Sequence, residues 1–203
     1  GFACRQDMHD QPRYKPFAGK WALPGGFIRK HEELRSAAAR ELKEEAGVSG
    51  VYLEQLYTFG SVRRDPRGRI ITVAYLALAP WHSIRLKASY DAEDAVSCPA
   101  RNLPALAFDH KKIIMYALKR LQNKIQYTNI AWSLLPDTFT LGEIQKVYEI
   151  ILGRHLDKRN FRKKMLSLGI LQELRRVRTG LRQRPARLYA FKTRQYSELR
   201  KFF

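Results

Sequence analysis

An α/β or α+β domain followed by a small winged helix-turn-helix domain is the architecture the sequence predicts. Three observations carry it. Strand-like runs and helical periodicity share the first 126 residues. A capped amphipathic helix, a short turn and a strongly basic helix follow from residue 139. Two more strand runs, with an arginine-rich turn between them, come next.

The bulk properties allow this. The chain has 203 residues, 45% of them hydrophobic and 11% aromatic, which supports a packed core and excludes a disordered chain. It has no run of 18 apolar residues, so a transmembrane helix is excluded and no membrane partner is expected. No signal-peptide pattern opens it. Cys4 and Cys98 are too few for a disulfide framework and too isolated for a zinc site, which fits a reducing cytoplasm.

Charge points to a polyanionic partner. Thirty-eight Lys and Arg oppose 19 Asp and Glu, a net charge of +19. Residues 1–127 hold 21 basic and 13 acidic side chains, net +8, and residues 128–203 hold 17 and 6, net +11. The shorter part carries more of the excess. Its periodicities mark it as a folded basic domain rather than a tail. The domains are placed at 1–126 and 139–203, with residues 127–138, which include Pro136, as a linker.

In the first domain, Phe17, Trp21 and Leu23 alternate ahead of Pro24-Gly25-Gly26, and residues 14–28 read as strand and turn. Residues 33–46 read as a helix stopped by Gly47. Val51 to Val62 reads as strands, Asp65-Pro66-Arg67-Gly68 as a turn, and Ile70 to Leu78 as a buried strand. Ile114, Ala117, Leu118, Leu121 and Ile125 give Lys111 to Gln126 helical spacing.

The helix over 33–46 carries chemistry. Glu41, Glu44 and Glu45 stand at i, i+3 and i+4 and share one face. Three glutamates on a helix are by themselves usually a solvated face. Like charges so placed weaken a helix, however, and a divalent cation such as Mg²⁺ or Mn²⁺ is the economical way to offset them. Arg40 and Glu32 can pair and hold the carboxylates, and the Gly25-Gly26 turn lets backbone approach a ligand.

The full spacing is G-x5-E-x7-R-E-L-x-E-E-x-G-V from Gly26 to Val48, preceded by Trp21-Ala-Leu-Pro-Gly-Gly-Phe27. It resembles the signature of Nudix hydrolases at every defining position. The resemblance implies an α/β/α Nudix sandwich over about residues 1–125 and Mg²⁺- or Mn²⁺-dependent cleavage of a nucleoside diphosphate linked to another group. It implies metal binding by Glu41, Glu44 and Glu45, orientation of these by Arg40, and a backbone carbonyl ligand from Gly25 or Gly26. Glu44 and Glu93, the latter in Asp91-Ala-Glu93-Asp94, are both candidates for the general base. The strand that normally precedes the segment starting at Gly1 in such a fold is expected to be missing, truncated or not included, and Met8 to Arg13 also reads as polar loop rather than strand.

Arg63, Arg64, Arg67 and Arg69 surround the turn before the buried strand, where they form a solvated hairpin loop or grip phosphate or ribose. The pattern Arg64-Asp65-x-Arg67-Gly68, with Leu106-Ala-Phe-Asp-His110, resembles Nudix proteins that take ADP-ribose. That assigns Arg64, Asp65, Arg67, Arg69 and Gly25 to the ligand. By itself, His110 reads as a cap or a surface residue.

In the second domain, Thr140 with Glu143 is a capping box, and Leu141, Ile144, Val147, Tyr148, Ile151 and Leu152 form an apolar stripe. Asp157 can cap the next helix, which turns Phe161, Met165 and Leu168 inward and Lys158, Arg159, Asn160, Arg162, Lys163 and Lys164 outward. Leu171 to Val177 and Ala186 to Phe191 form a hairpin with Arg182 and Arg184 at its tip. In such a domain the basic helix enters the major groove of double-stranded DNA and the wing reaches phosphate or the minor groove.

A Nudix box followed by a winged helix resembles the Nudix-related transcriptional regulators called NrtR. Phe139-Thr-Leu, the 157–168 helix and Arg184-Pro-Ala-Arg-Leu-Tyr189 carry the likeness. It implies a homodimeric repressor of bacterial NAD metabolism genes, cytoplasmic and associated with the nucleoid when bound to operator DNA, whose affinity responds to ADP-ribose or a related nucleotide. The box is intact, so hydrolysis stays open. The alternative is a Mg-dependent ADP-ribose pyrophosphatase with an accessory basic domain. Gln183 replaces a glycine frequent in the family, which is expected to change the wing tip.

Overall fold

The structure, a computed structural model, describes residues 2–6, 17, 20–80, 95–100, 102–178 and 185–199. Strand β1 (Phe2–Gln6) pairs antiparallel with β2 (Trp21–Ala22) on one side and, further on in the chain, with β5 (Ala95–Cys98) on the other. Strand β1 stands where the sequence reading names no element. The polar Arg5 and Gln6 break the apolar pattern that would have announced it.

Helix α1 (Leu34–Ala46) ends where Gly47 takes φ 67° and its amide donates to the Leu42 and Lys43 carbonyls. A side chain there would be strained, so the sequence stop signal has a backbone cause. Strands β3 (Tyr52–Phe59) and β4 (Thr72–Leu78) pair antiparallel from Tyr52↔Leu78 to Phe59↔Thr72, with one irregularity between Gln55 and Tyr57. Leu56, Phe59, Ala74, Leu76 and Leu78 are buried, and helix α1 packs on β1, β3 and β4. Helix α2 (His110–Lys124) buries Ile113, Ile114 and Ala117, and its Tyr116 ring meets those of Tyr57 and Phe59.

The chain divides into two compact units, and the division falls inside α2, after Leu118. The segment expected to be a linker is instead packed. Ile130–Leu134 is a 3₁₀ turn, and Thr128, Asn129, Ile130, Ala131, Ser133 and Leu135 are all buried. The Asn129 side chain donates to the Gln195 carbonyl at 2.8 Å and accepts from the Ser197 amide at 2.9 Å. Distant partners of this kind cannot be inferred from local composition.

Helix α3 (Leu141–Leu152) opens with the expected capping box: the Thr140 hydroxyl accepts from the Glu143 amide, and Glu143 accepts from the Thr140 amide at 2.7 Å. Helix α4 (Lys158–Ser167) is capped by Asp157, whose carboxylate accepts from the Asn160 amide at 2.8 Å. Strands β6 (Leu171–Arg178) and β7 (Ala186–Phe191) form the hairpin, and an antiparallel bridge joins Phe139 to Tyr189. Ile144, Tyr148, Phe161 and Met165 make the core of this unit, with the Tyr148 and Phe161 rings edge to face at 5.4 Å. Among the described residues, no helix is long and apolar enough to cross a membrane.

Candidate functional site

In the first unit, Arg40 organises the acidic face of α1. Its guanidinium holds Glu32 with both ends, Nε to Oε1 at 2.7 Å and Nη2 to Oε2 at 2.8 Å. Nη1 bridges Glu41 at 2.6 Å and Glu44 at 3.1 Å. The hydrogen bond from Arg40 is the main reason the Glu32 carboxyl drops from its ordinary 4.5 to about 2, while the same carboxylates raise the pKa of Arg40. Glu45 accepts from the Gly25 amide at 2.8 Å, which ties the Gly25-Gly26 turn to the helix. Gly26 passes so close to Glu41 that an added Cβ would collide with its carboxylate.

The sequence expectation placed Glu41, Glu44, Glu45 and Gly26 around a metal. The structure keeps all four together but arranges them differently. Among the described residues, no three acidic, His or Cys side chains converge as a formed metal cluster. Arg40 lies between Glu41 and Glu44, and Glu45 turns to Gly25. The guanidinium supplies the countercharge that the repelling carboxylates require. The donor set still fits a divalent ion: hard carboxylate oxygens on one helix face, with a glycine backbone pressed against them. Glu93 lies outside the described residues.

The arginine-rich turn is held by internal pairs. Arg64 and Asp65 are buried. Arg64 grips Asp109 with two hydrogen bonds of 2.7 and 3.1 Å, and the pair's side chains are 4% and 17% exposed. Asp65 is held by Arg67, which donates to it from its backbone amide and its guanidinium. Burial pushes the Asp65 carboxyl up, but those hydrogen bonds outweigh it and leave it below the ordinary range. Arg67 also lies 4.7 Å over the Phe108 ring, and Arg69 donates to the Gly60 carbonyl at 2.8 Å. Arg64 and Asp65 therefore brace the turn. Internal pairing of this sort is invisible in sequence because Asp109 stands 45 residues from Arg64.

Two further residues belong to this region. Phe108 is the sole non-glycine with positive φ among the described residues, at 51°, a conformation with a strain cost. His110, read as a cap or surface residue, accepts from the Leu23 amide through Nδ1 at 3.0 Å. It thereby fixes the segment that leads into Pro24-Gly25-Gly26.

In the second unit, Lys158, Arg159, Asn160, Arg162, Lys163 and Lys164 are all exposed on α4, while Phe161 and Met165 anchor its other side. The helix faces are as the spacing predicts. Arg178 on β6 pairs with Glu143 at the start of α3, and Arg187 pairs with Glu173 across the hairpin. Burial pushes the Glu143 carboxyl up, but the Thr140 amide and Arg178 overcome this and lower it. Arg182 and Arg184 lie outside the described residues, as does Gln183.

Comparison with known proteins joins these two halves. Residues 6–117 match the NUDIX domain, and residues 131–191 match the NrtR DNA-binding winged helix domain. Over 184 residues the chain is 38% identical to the ADPR responsive transcriptional repressor NtrR of Acinetobacter baylyi, covering 89% of this chain and 73% of that protein. The chain belongs to the NrtR family. The crystal structure of Shewanella oneidensis NrtR complexed with a 27mer DNA superposes with a TM-score of 0.80 at 35% identity, covering 94% of this chain and 85% of that one. The NrtR architecture, a Nudix domain followed by a winged helix, is thus the architecture of this chain. Its Nudix part is also 42% identical over 99 residues to the ADP-ribose pyrophosphatase of Methanocaldococcus jannaschii, covering 49% of this chain and 57% of that enzyme.

Proposed function

We propose that the chain is a homodimeric, DNA-binding transcriptional repressor of NAD metabolism genes whose Nudix domain binds ADP-ribose or a related nucleotide. The observation that carries this reading is the coexistence of an intact carboxylate box with a winged helix whose exposed α4 face is almost wholly basic. The A. baylyi relative is named as an ADPR responsive repressor, and the Shewanella relative was crystallised with DNA. Lys158, Arg159, Asn160, Arg162 and Lys163 would meet the operator, with Arg182 and Arg184 assigned to the wing tip. Arg67, Arg69 and the Gly25 backbone stay assigned to the nucleotide.

Glu41, Glu44, Glu45 and the Gly26 carbonyl would hold Mg²⁺ or Mn²⁺. Such an ion supplies positive charge for a diphosphate and acidifies bound water. Arg40 would position the glutamates. Glu44, the most exposed of the set among those paired to Arg40, is available as the base; Glu93 is the other candidate. Hydrolysis is favoured as a second activity by one observation, the retention of every box residue in a folded site.

The test measures binding to promoter fragments of NAD-biosynthesis genes with and without saturating ADP-ribose. A ligand acts on DNA affinity only by binding the DNA-competent and incompetent states differently. Unchanged affinity would refute the sensing half. Arg162→Ala and Lys163→Ala should each weaken binding and flatten its salt dependence; unaltered binding by both removes α4 from the interface. AMP release from ADP-ribose with Mg²⁺ tests catalysis, and Glu45→Gln should abolish it. Gln can still accept from the Gly25 amide, so this substitution removes charge and spares the hydrogen bond.

A further inference from the structure

The register of the hairpin exposes two arginines that the sequence pattern does not single out. Strands β6 and β7 pair regularly through Leu171↔Phe191, Gln172↔Ala190 and Glu173↔Tyr189, then resume at Val177↔Arg187 and Arg178↔Ala186. Leu174, Arg175 and Arg176 therefore stand opposite a single residue, Leu188. A regular strand sends neighbouring side chains to opposite faces. Extra residues in one strand break that alternation and re-aim side chains. Here Leu174 is half-buried while Arg175 and Arg176 are both exposed.

The carboxylates nearby are already engaged. Glu173 accepts from Arg187 at 2.5 Å and from the Tyr189 hydroxyl at 3.3 Å, and Glu143 pairs with Arg178. Among the described residues, neither Arg175 nor Arg176 makes a hydrogen bond or ion pair with a side chain of this chain. The next strand pair is closed by Arg178, which is anchored to the start of α3, so the bulge sits on a braced element.

We propose that Arg175 and Arg176, presented by the β6 bulge, form a second DNA contact that grips backbone phosphates whatever the base sequence. The guanidinium fork matches phosphate oxygens, and two adjacent forks without internal partners retain their full capacity for it. This contact rests on the DNA-binding reading above and adds to it a site at the base of the wing, separate from α4 and from the wing tip.

The test uses the full chain and a random-sequence duplex of about two helical turns, with affinity measured against salt concentration. Each phosphate contact contributes about 0.9 to the slope of log affinity against log salt. The double substitution Arg175→Ala with Arg176→Ala should therefore lower the slope by about 2 per bound chain. Arg175→Lys with Arg176→Lys, which keeps both charges, should retain most of it. An equal slope and affinity for the alanine and unaltered chains, with the unaltered chain binding DNA, overturns the contact and leaves the DNA-binding reading intact. Absence of duplex binding by the unaltered chain overturns both. Unfolding of the alanine variant is read from its thermal midpoint; in that case the lysine pair carries the test against Arg175→Gln with Arg176→Gln, whose slope should fall by the same amount.

Discussion

Arg40 touches three carboxylates, and the pH response of the acidic face follows from that. Glu32 is drawn from 4.5 to about 2 chiefly by its hydrogen bond to Arg40. A depressed carboxyl stabilises the fold above its ordinary value and loses that contribution as pH falls through the folded value. The loss should run from about pH 4.5 down to about 2, and Glu32→Gln should flatten the thermal midpoint across that window. A parallel fall in both proteins would contradict the assignment. Arg64 makes a different prediction. Arg64→Ala leaves Asp109 as a mostly buried charge without its guanidinium, and should destabilise the first unit by about 3 kcal/mol. Denaturant unfolding checks this; a loss of nucleotide affinity at unchanged stability would restore Arg64 to the ligand.

At the scale of elements, the helix starts of the second unit carry measurable stability. Thr140→Ala removes the hydroxyl that accepts from the Glu143 amide and should cost about 1 kcal/mol. Phe161→Ala empties the centre of the α3–α4 core and should cost about 3–5 kcal/mol. Calorimetry should show either loss in the second unit's transition and leave the first unit's unchanged. Helix α4 divides its labours cleanly. Its apolar residues are spent on the core, so its basic residues are free to carry charge without disturbing the fold. The α1 face does the opposite, because its charged residues hold one another.

For the whole molecule, two units within one chain allow a nucleotide to influence DNA binding. Coupling energies of about 1–3 kcal/mol are usual for linked sites, so saturating ADP-ribose should shift DNA affinity by roughly 5–150-fold. The same coupling must appear in reverse: DNA must change ADP-ribose affinity by the same factor. Calorimetric titration of ADP-ribose with and without bound duplex checks this reciprocity. Unequal factors in the two directions would show that the measured DNA effect is not an equilibrium coupling.

The order of elements, the helix caps, the Gly47 stop, the carboxylate face and the basic face of α4 were all set by residues within a few positions of one another. That is why periodicity and capping rules could read them. The spacing of the box also identified its five charged residues correctly as neighbours. What the tertiary structure decided involves partners far apart in the chain. Arg64 closes on Asp109, His110 reaches Leu23, and Asn129 reaches Gln195 and Ser197. These pairings brace the arginine-rich turn through Arg64 and pack the segment that composition reads as a linker. The β6 bulge is of the same kind, since a register exists only between two strands. Local sequence specifies a group's chemistry, but only the folded chain determines whether another part of the molecule already uses it.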